Sequence, residues 1–168
     1  MAPADCRNPQ SPTTKAICGD AALTKLDRAL NAASMRAVDR WSAEDREAQR
    51  QWIDDRKSCD KAKDPKPCLS WLYQHRLAEV QIRSGELPEP TRAEYACEPS
   101  AATPLTVAYY PQTEPKSARV TMGDREVVAL AAPTASGTRY TSVDFELVEH
   151  GGAVTVTWFG STFTCKPR

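Results

Sequence analysis

The chain has 168 residues with 22 Lys plus Arg against 22 Asp plus Glu, and the balance holds in each half: 15 against 14 in residues 1–90, 7 against 8 in residues 91–168. That excludes the basic stripe of a nucleic-acid footprint, and no apolar run of about 18 residues is present to span a membrane. Composition changes along the chain: residues 1–90 are rich in Ala, Leu, Arg, Lys and Asp, and residues 94–166 in Thr, Val and Tyr. Each half is too small to rest on a large apolar core, and six cysteines supply the deficit. An even number of cysteines at loop-like positions predicts an oxidising compartment, hence an exported protein, periplasmic or in the cell envelope. Met1-Ala2-Pro3-Ala4 resembles the start of a trimmed chain, and a lipid anchor ahead of residue 1 is compatible with it.

Between Cys6 and Cys18, Pro9, Ser11, Pro12 and two threonines read as an irregular arm held by cysteines. From Asp20 the pattern becomes helical, with Leu23, Leu26, Leu30, Ala33 and Ala37 recurring at three or four residues until about Arg40. Ser42, with Asp45 three residues on, predicts a capping box opening a second helix that turns Trp52 and Ile53 inward. After Cys59 two prolines and a charge cluster interrupt, and a third helix follows from Cys68 through Leu69, Leu72, Tyr73, Leu77 and Val80. Antiparallel helices of similar length collect Cys18, Cys59 and Cys68 at one end, within reach of Cys6 along the arm. Four cysteines allow three pairings; those joining the arm and first helix to the Cys59–Cys68 corner are favoured here over a local Cys6–Cys18 link.

Ser84-Gly85-Glu86-Leu87-Pro88-Glu89-Pro90 is a linker by composition. The reading is therefore a helical domain over 1–84, a proline-rich linker over 85–92 and a β domain over 93–168. Beyond the linker the period is two: Tyr95 and Cys97, then Leu105, Val107 and Tyr109, then Ala118, Val120 and Met122 up to Gly123-Asp124, with Val127 to Leu130 returning. Val143, Phe145 and Leu147 alternate with polar residues, Gly151-Gly152 turns, and Val154, Val156 and Trp158 alternate back before Phe163 and Cys165. Cys97 in the first strand and Cys165 in the last share the aromatic face, so a bridge between them ties the ends of a small sheet or open barrel.

Among these strands, Ala135-Ser136-Gly137-Thr138-Arg139-Tyr140 has the chemistry of a projecting loop. Pro133 limits the ladder before it, Gly137 permits positive φ, and Tyr140 anchors the base with its ring. Catalytic chemistry finds no footing: neither His75, on the third helix and read as solvated or near a helix end, nor His150, beside a hairpin turn, stands in a catalytic motif of the sequence. Cys59 and Cys68 lie outside zinc spacing, and Glu44-Asp45 and Asp54-Asp55 point in different directions on helical surfaces. No enzyme, cofactor or metal is expected.

Two resemblances then become specific. Cys6, Thr14-Lys15-Ala16-Ile17-Cys18-Gly19-Asp20, Leu23, Leu26-Asp27 and Leu30, with Gln51-Trp52, Arg56, Cys59, Cys68-Leu69, Tyr73 and Arg76-Leu77, resemble the LprI family of exported helical domains, linked to lysozyme inhibition. Tyr95-Ala96-Cys97, Ala118-Arg119-Val120, Ser136-Gly137 with Tyr140, and Phe163-Thr164-Cys165-Lys166 resemble the MliC/PliC family of inhibitors of c-type lysozyme. The fold implied is α+β in two domains, a disulfide-stapled three-helix domain followed by a small antiparallel β-barrel. The resemblance implies c-type lysozyme as partner, with Ser136 entering the enzyme's cleft, Gly137 shaping the loop and Tyr140 supporting it. The family's second loop commonly supplies a lysine, but Phe145-Glu146-Leu147-Val148-Glu149-His150-Gly151 has none; His150 or Arg139 are the substitutes to consider. The competing expectation is a structural or adhesion module of the cell envelope that has lost inhibition.

Overall fold

The computed structural model describes residues 3–99 and 103–168, and the chain divides into two compact units, Met1–Glu86 and Leu87–Arg168. The first holds four helices, α1 (Pro12–Cys18), α2 (Ala21–Ala37), α3 (Ala43–Ser58) and α4 (Pro65–Ser84), with short 3₁₀ turns after α2 and α3. Three of them are the helices expected from periodicity. The capping box at Ser42 and Asp45 is present, each side chain meeting the other's backbone N–H.

The arm is not irregular. Pro12 sits in the first turn of α1, where its missing N–H costs nothing, and the Ser11 hydroxyl caps the helix by accepting from Thr14 N–H. A tertiary catch completes it: the Thr13 N–H and hydroxyl both donate to Asp60 Oδ1 at 2.6 Å. The same proline logic moves the start of α4 ahead of Cys68, with Asp64 as cap and Pro65 in the first turn. Because α1 returns Cys18 towards the arm, the favoured long-range pairing fails. Cys6 bonds Cys18 and Cys59 bonds Cys68, with Cα separations of 5.5 and 5.8 Å. His75 also departs from expectation, being buried with its ring centroid 4.3 Å from that of Trp71.

Ile17, Leu23, Leu30, Trp52, Leu69 and Tyr73 form the centre of the helical core. Inside it the Tyr73 hydroxyl donates to Asp27 Oδ1 (2.6 Å) and accepts from Arg56 Nη1 (2.9 Å), while Asp27 Oδ2 accepts from Ala4 N–H. This network ties α2, α3, α4 and the arm together at a buried carboxylate that stays partnered. Burial, then the bond to Asp27, holds the Tyr73 phenol above its ordinary value of 10.0. A group whose pKa is raised by folding contributes stability that is present below the unfolded value and is lost as pH rises through it. The urea midpoint is therefore expected to fall between pH 8 and about 10.5, with a smaller fall in Tyr73→Phe; equal midpoints for the parent at both pH values would contradict this.

The second unit is a closed barrel of eight antiparallel strands in sequence order, β1 (Thr91–Glu98), β2 (Leu105–Tyr110), β3 (Ser117–Met122), β4 (Arg125–Ala131), β5 (Thr138–Ser142), β6 (Phe145–His150), β7 (Ala153–Trp158) and β8 (Ser161–Pro167). Alternation places Leu105, Val107, Val120, Leu147, Val154 and Val156 inside, all at 0% exposure. β1 pairs β8 with Cys97 opposite Cys165, and the disulfide closes the ring. The run that alternates through Val143 is divided: β5 and β6 form a tight hairpin whose turn is Val143-Asp144, with Asp144 at φ 52 and Val143 largely exposed. Asp is among the few non-glycine residue types that visit this left-handed geometry, and here the Asp144 carbonyl accepts from Phe159 N–H.

Candidate functional site

The up-and-down topology gathers one set of connections at one end of the barrel: the 111–116 loop, the 132–137 loop, the 151–152 turn, the start of β1 and the end of β8. The Ser136 loop is therefore on the rim of the barrel mouth. Its base is closed by Ala132 N–H donating to the Arg139 carbonyl, and its interior by the Thr134 hydroxyl donating to the Ser136 carbonyl at 3.0 Å. Gly137 has φ +71, and a Cβ built there would lie 1.9 Å from the Glu149 carbonyl oxygen. The loop backbone is thus pressed onto the end of β6, an approach only glycine permits. Ser136, exposed at the turn, meets His150 Nδ1 through its hydroxyl at 3.2 Å. This hydroxyl has one donor and two acceptor positions, so the contact leaves part of its capacity open.

Not all the residues singled out in the sequence converge here. Ser136, Gly137 and His150 do. Tyr140 points inward, 8% exposed, its ring 5.6 Å from Tyr109, at the foot of the loop. Arg139, next along β5, faces the opposite side, where Nε and Nη2 reach Glu146 Oε2 at 2.8 and 2.7 Å. Its charge is neutralised by a neighbour on β6 and is not directed at Ser136.

The mouth contains more than the loop. A cavity of about 470 Å³ opens there, with Tyr95, Tyr109 and Tyr140 on its wall and Thr138, Glu149 and Lys116 towards its edge. Glu149 is held in place by the Thr138 hydroxyl and Gly152 N–H, each donating at 3.3 Å. Burial raises the Tyr109 and Tyr140 phenols above their ordinary range. Sequence reasoning noted the inward alternation of these tyrosines but not that three meet in one opening, because that depends on barrel closure. Lys116 was missed too. It precedes β3, and its carbonyl accepts from Ala131 N–H, at the point where β4 leads into the Ser136 loop.

A Gly137→Ala substitution tests the close approach. Both the steric overlap and the left-handed backbone oppose it, for a cost of about 1 to 3 kcal/mol. Thermal unfolding checks this; an alanine variant that melts like the parent would show that the loop does not need glycine.

Residues 95–163 match the family model described as membrane-bound lysozyme-inhibitor of c-type lysozyme, MliC. Over almost the whole chain there is a second likeness. "Lipoprotein LprI" of Mycobacterium bovis and that of two Mycobacterium tuberculosis strains are each 33% identical over 163 residues, covering 96% of this chain and 82% of the relative. The chain belongs to the LprI family. Its barrel is the part matched by the lysozyme-inhibitor model, so the LprI likeness continues through both halves and is not confined to the helical one. These are families of inhibitors and lipoproteins, not of enzymes, and they associate the chain with the cell envelope. No solved structure matches the chain. No described helix is long and apolar enough to cross a membrane.

Proposed function

We propose that this protein inhibits c-type lysozyme by inserting the Ser136 loop into the enzyme's active-site cleft. The observation that carries this reading is the rim geometry: an exposed serine on a loop fixed by Gly137 against the Glu149 carbonyl, within the region matched by the MliC model. A glycosidase cleft presents one protonated and one ionised carboxyl, and a single hydroxyl can accept from the first while donating to the second. The loop is held before contact, so little ordering entropy opposes binding. With formal net charge +0, the inhibitor gains little from long-range steering, and affinity rests on shape and short-range bonds.

In this reading residues 93–168 contain the inhibitory surface, residues 85–92 act as the linker and the helical domain over 1–84 is a separate scaffold. The protein acts outside the cytoplasm, periplasmic or in the cell envelope, where its three disulfides persist; the lipoprotein relatives support an anchored form. The deciding experiment is turbidity clearance of peptidoglycan by c-type lysozyme with the whole oxidised chain added, together with co-elution on a sizing column. Uninhibited lysis and separate elution would leave the envelope-module reading in its place.

The missing second-loop lysine has a candidate replacement in His150, since Arg139 is committed to Glu146. If its imidazole supplies the cation, His150→Lys should keep or strengthen inhibition and His150→Ala should weaken it. Equal inhibition by parent and both variants would assign the second loop a role of shape alone.

A further inference from the structure

We infer that the barrel mouth is a carbohydrate subsite that takes a neutral pyranose ring, a property separate from lysozyme inhibition and independent of it. The wall residues provide the chemistry. Tyr95 and Tyr109 bring their hydroxyls within 3.4 Å of each other, and the Tyr109 and Tyr140 rings lie 5.6 Å apart at an interplanar angle of 54°. With Tyr95 and Tyr140 each 8% exposed, little ring face reaches the mouth; the match lies in hydroxyls that both donate and accept, set against a ligand whose own groups are hydroxyls. The cavity of about 470 Å³ lies in the size range of small-ligand sites, and its lining mixes the three tyrosines with Thr91, Thr138, Lys116 and Glu149.

Charge and depth narrow the ligand class. Two charged residues of opposite sign line the mouth, Glu149 and Lys116, so neither an anion nor a cation is favoured overall, and a neutral polyol can donate to Glu149. Glu149 is already oriented by Thr138 and Gly152. Because burial keeps the Tyr109 and Tyr140 phenols protonated, these two walls add no charge of their own. A lipid tail is excluded by what lies below: Leu105, Val107, Val120, Leu147 and Val156 fill the barrel with 0% exposure, leaving a shallow mouth and no apolar bore.

The test is NMR of the full oxidised chain with ring-13C tyrosine, titrated with N-acetylglucosamine and with its β-1,4-linked trimer, without lysozyme. Saturable shifts are expected for Tyr95, Tyr109 and Tyr140, with Tyr73 of the helical core unmoved, at a Kd of about 1 mM for one ring. A tighter trimer identifies a polymeric glycan as the source of the ring, and equal affinities identify a free sugar. Tyr109→Phe retains the ring and removes the hydroxyl, and Glu149→Gln removes the charge; each should weaken binding about fivefold to tenfold, on the order of one bond. No saturable shift by about 50 mM sugar, shifts shared equally by Tyr73, or both variants binding like the parent would overturn the inference. Since lysozyme is absent, failure here leaves the inhibitor reading standing, and failure of inhibition leaves this one standing.

Discussion

Ser136→Trp is expected to abolish inhibition of c-type lysozyme while leaving the thermal midpoint of the protein unchanged. Ser136 is exposed, and its side chain's contact is with His150 at the rim, so an indole there meets solvent in the free protein and displaces no core. In the proposed complex the same indole would occupy the volume in which the loop meets two carboxyls. Ser136→Ala separates chemistry from bulk: it deletes the hydroxyl that in the proposed complex meets charged or polar carboxyls, a contact worth about 1.5 to 3 kcal/mol, or roughly 10 to 100-fold in affinity. The expected order is parent, alanine, tryptophan, from strongest to weakest, in both the lytic assay and calorimetric titration. A tryptophan variant that binds lysozyme as tightly as the parent would remove the loop-in-cleft mechanism even with inhibition established. An alanine variant within about twofold of the parent, a few tenths of a kcal/mol, would reduce Ser136 to a turn residue.

The second large effect concerns stability. Cys97 and Cys165 are 68 positions apart and join the first strand to the last. Cross-linking so long a loop removes denatured-state entropy worth about 4 kcal/mol in the chain-entropy model. That is comparable with the whole stability of many small domains, roughly 5 to 15 kcal/mol. The seam it closes is short, running from the Tyr95–Pro167 pair to the Glu98–Thr164 pair. The Cys97→Ser, Cys165→Ser double variant should therefore lower the barrel's melting temperature by about 20 °C, at the usual 4 to 8 °C per kcal/mol for a unit of this size. The Cys6–Cys18 bridge, spanning 12 positions, is worth about 3 kcal/mol on the same model. NMR of the barrel's core methyl groups, such as those of Leu105, Val120 and Val156, follows this unit alone during heating; a shift under about 5 °C would mean that the β1–β8 ladder holds without its bridge.

Much of the architecture follows from local pattern. Leu23, Leu26 and Leu30 repeat at helical spacing, and the Ser42–Asp45 capping box is a contact between residues three apart, so both were legible before any tertiary contact was known. The inward alternation of Leu105, Val107 and Tyr109, or of Val154, Val156 and Trp158, is equally local. Cys97 and Cys165 were readable because each sits on the inner face of a terminal strand and closing a sheet brings those strands together. The family resemblance added the barrel and the functional expectation, which alternation alone does not specify.

Other features depend on residues far apart in the chain. α1 begins on local signals, the Ser11 cap and Pro12 in its first turn, and is secured by Asp60, 47 positions from Thr13; its course in turn decides the Cys6–Cys18 pairing. The division of β5 from β6 at Val143-Asp144 depends on a positive-φ turn that the alternating pattern conceals. Arg139 and Tyr140 are neighbours in sequence, yet the pleat sends one to Glu146 outside and the other to Tyr109 inside. Lys116, Tyr95, Tyr109, Tyr140 and Glu149 come from five strands or their ends and meet only because the sheet closes on itself. Periodicity fixes which face a side chain occupies, but ring closure determines which faces share one opening, and at Gly137 the deciding quantity was the approach of one carbonyl on β6.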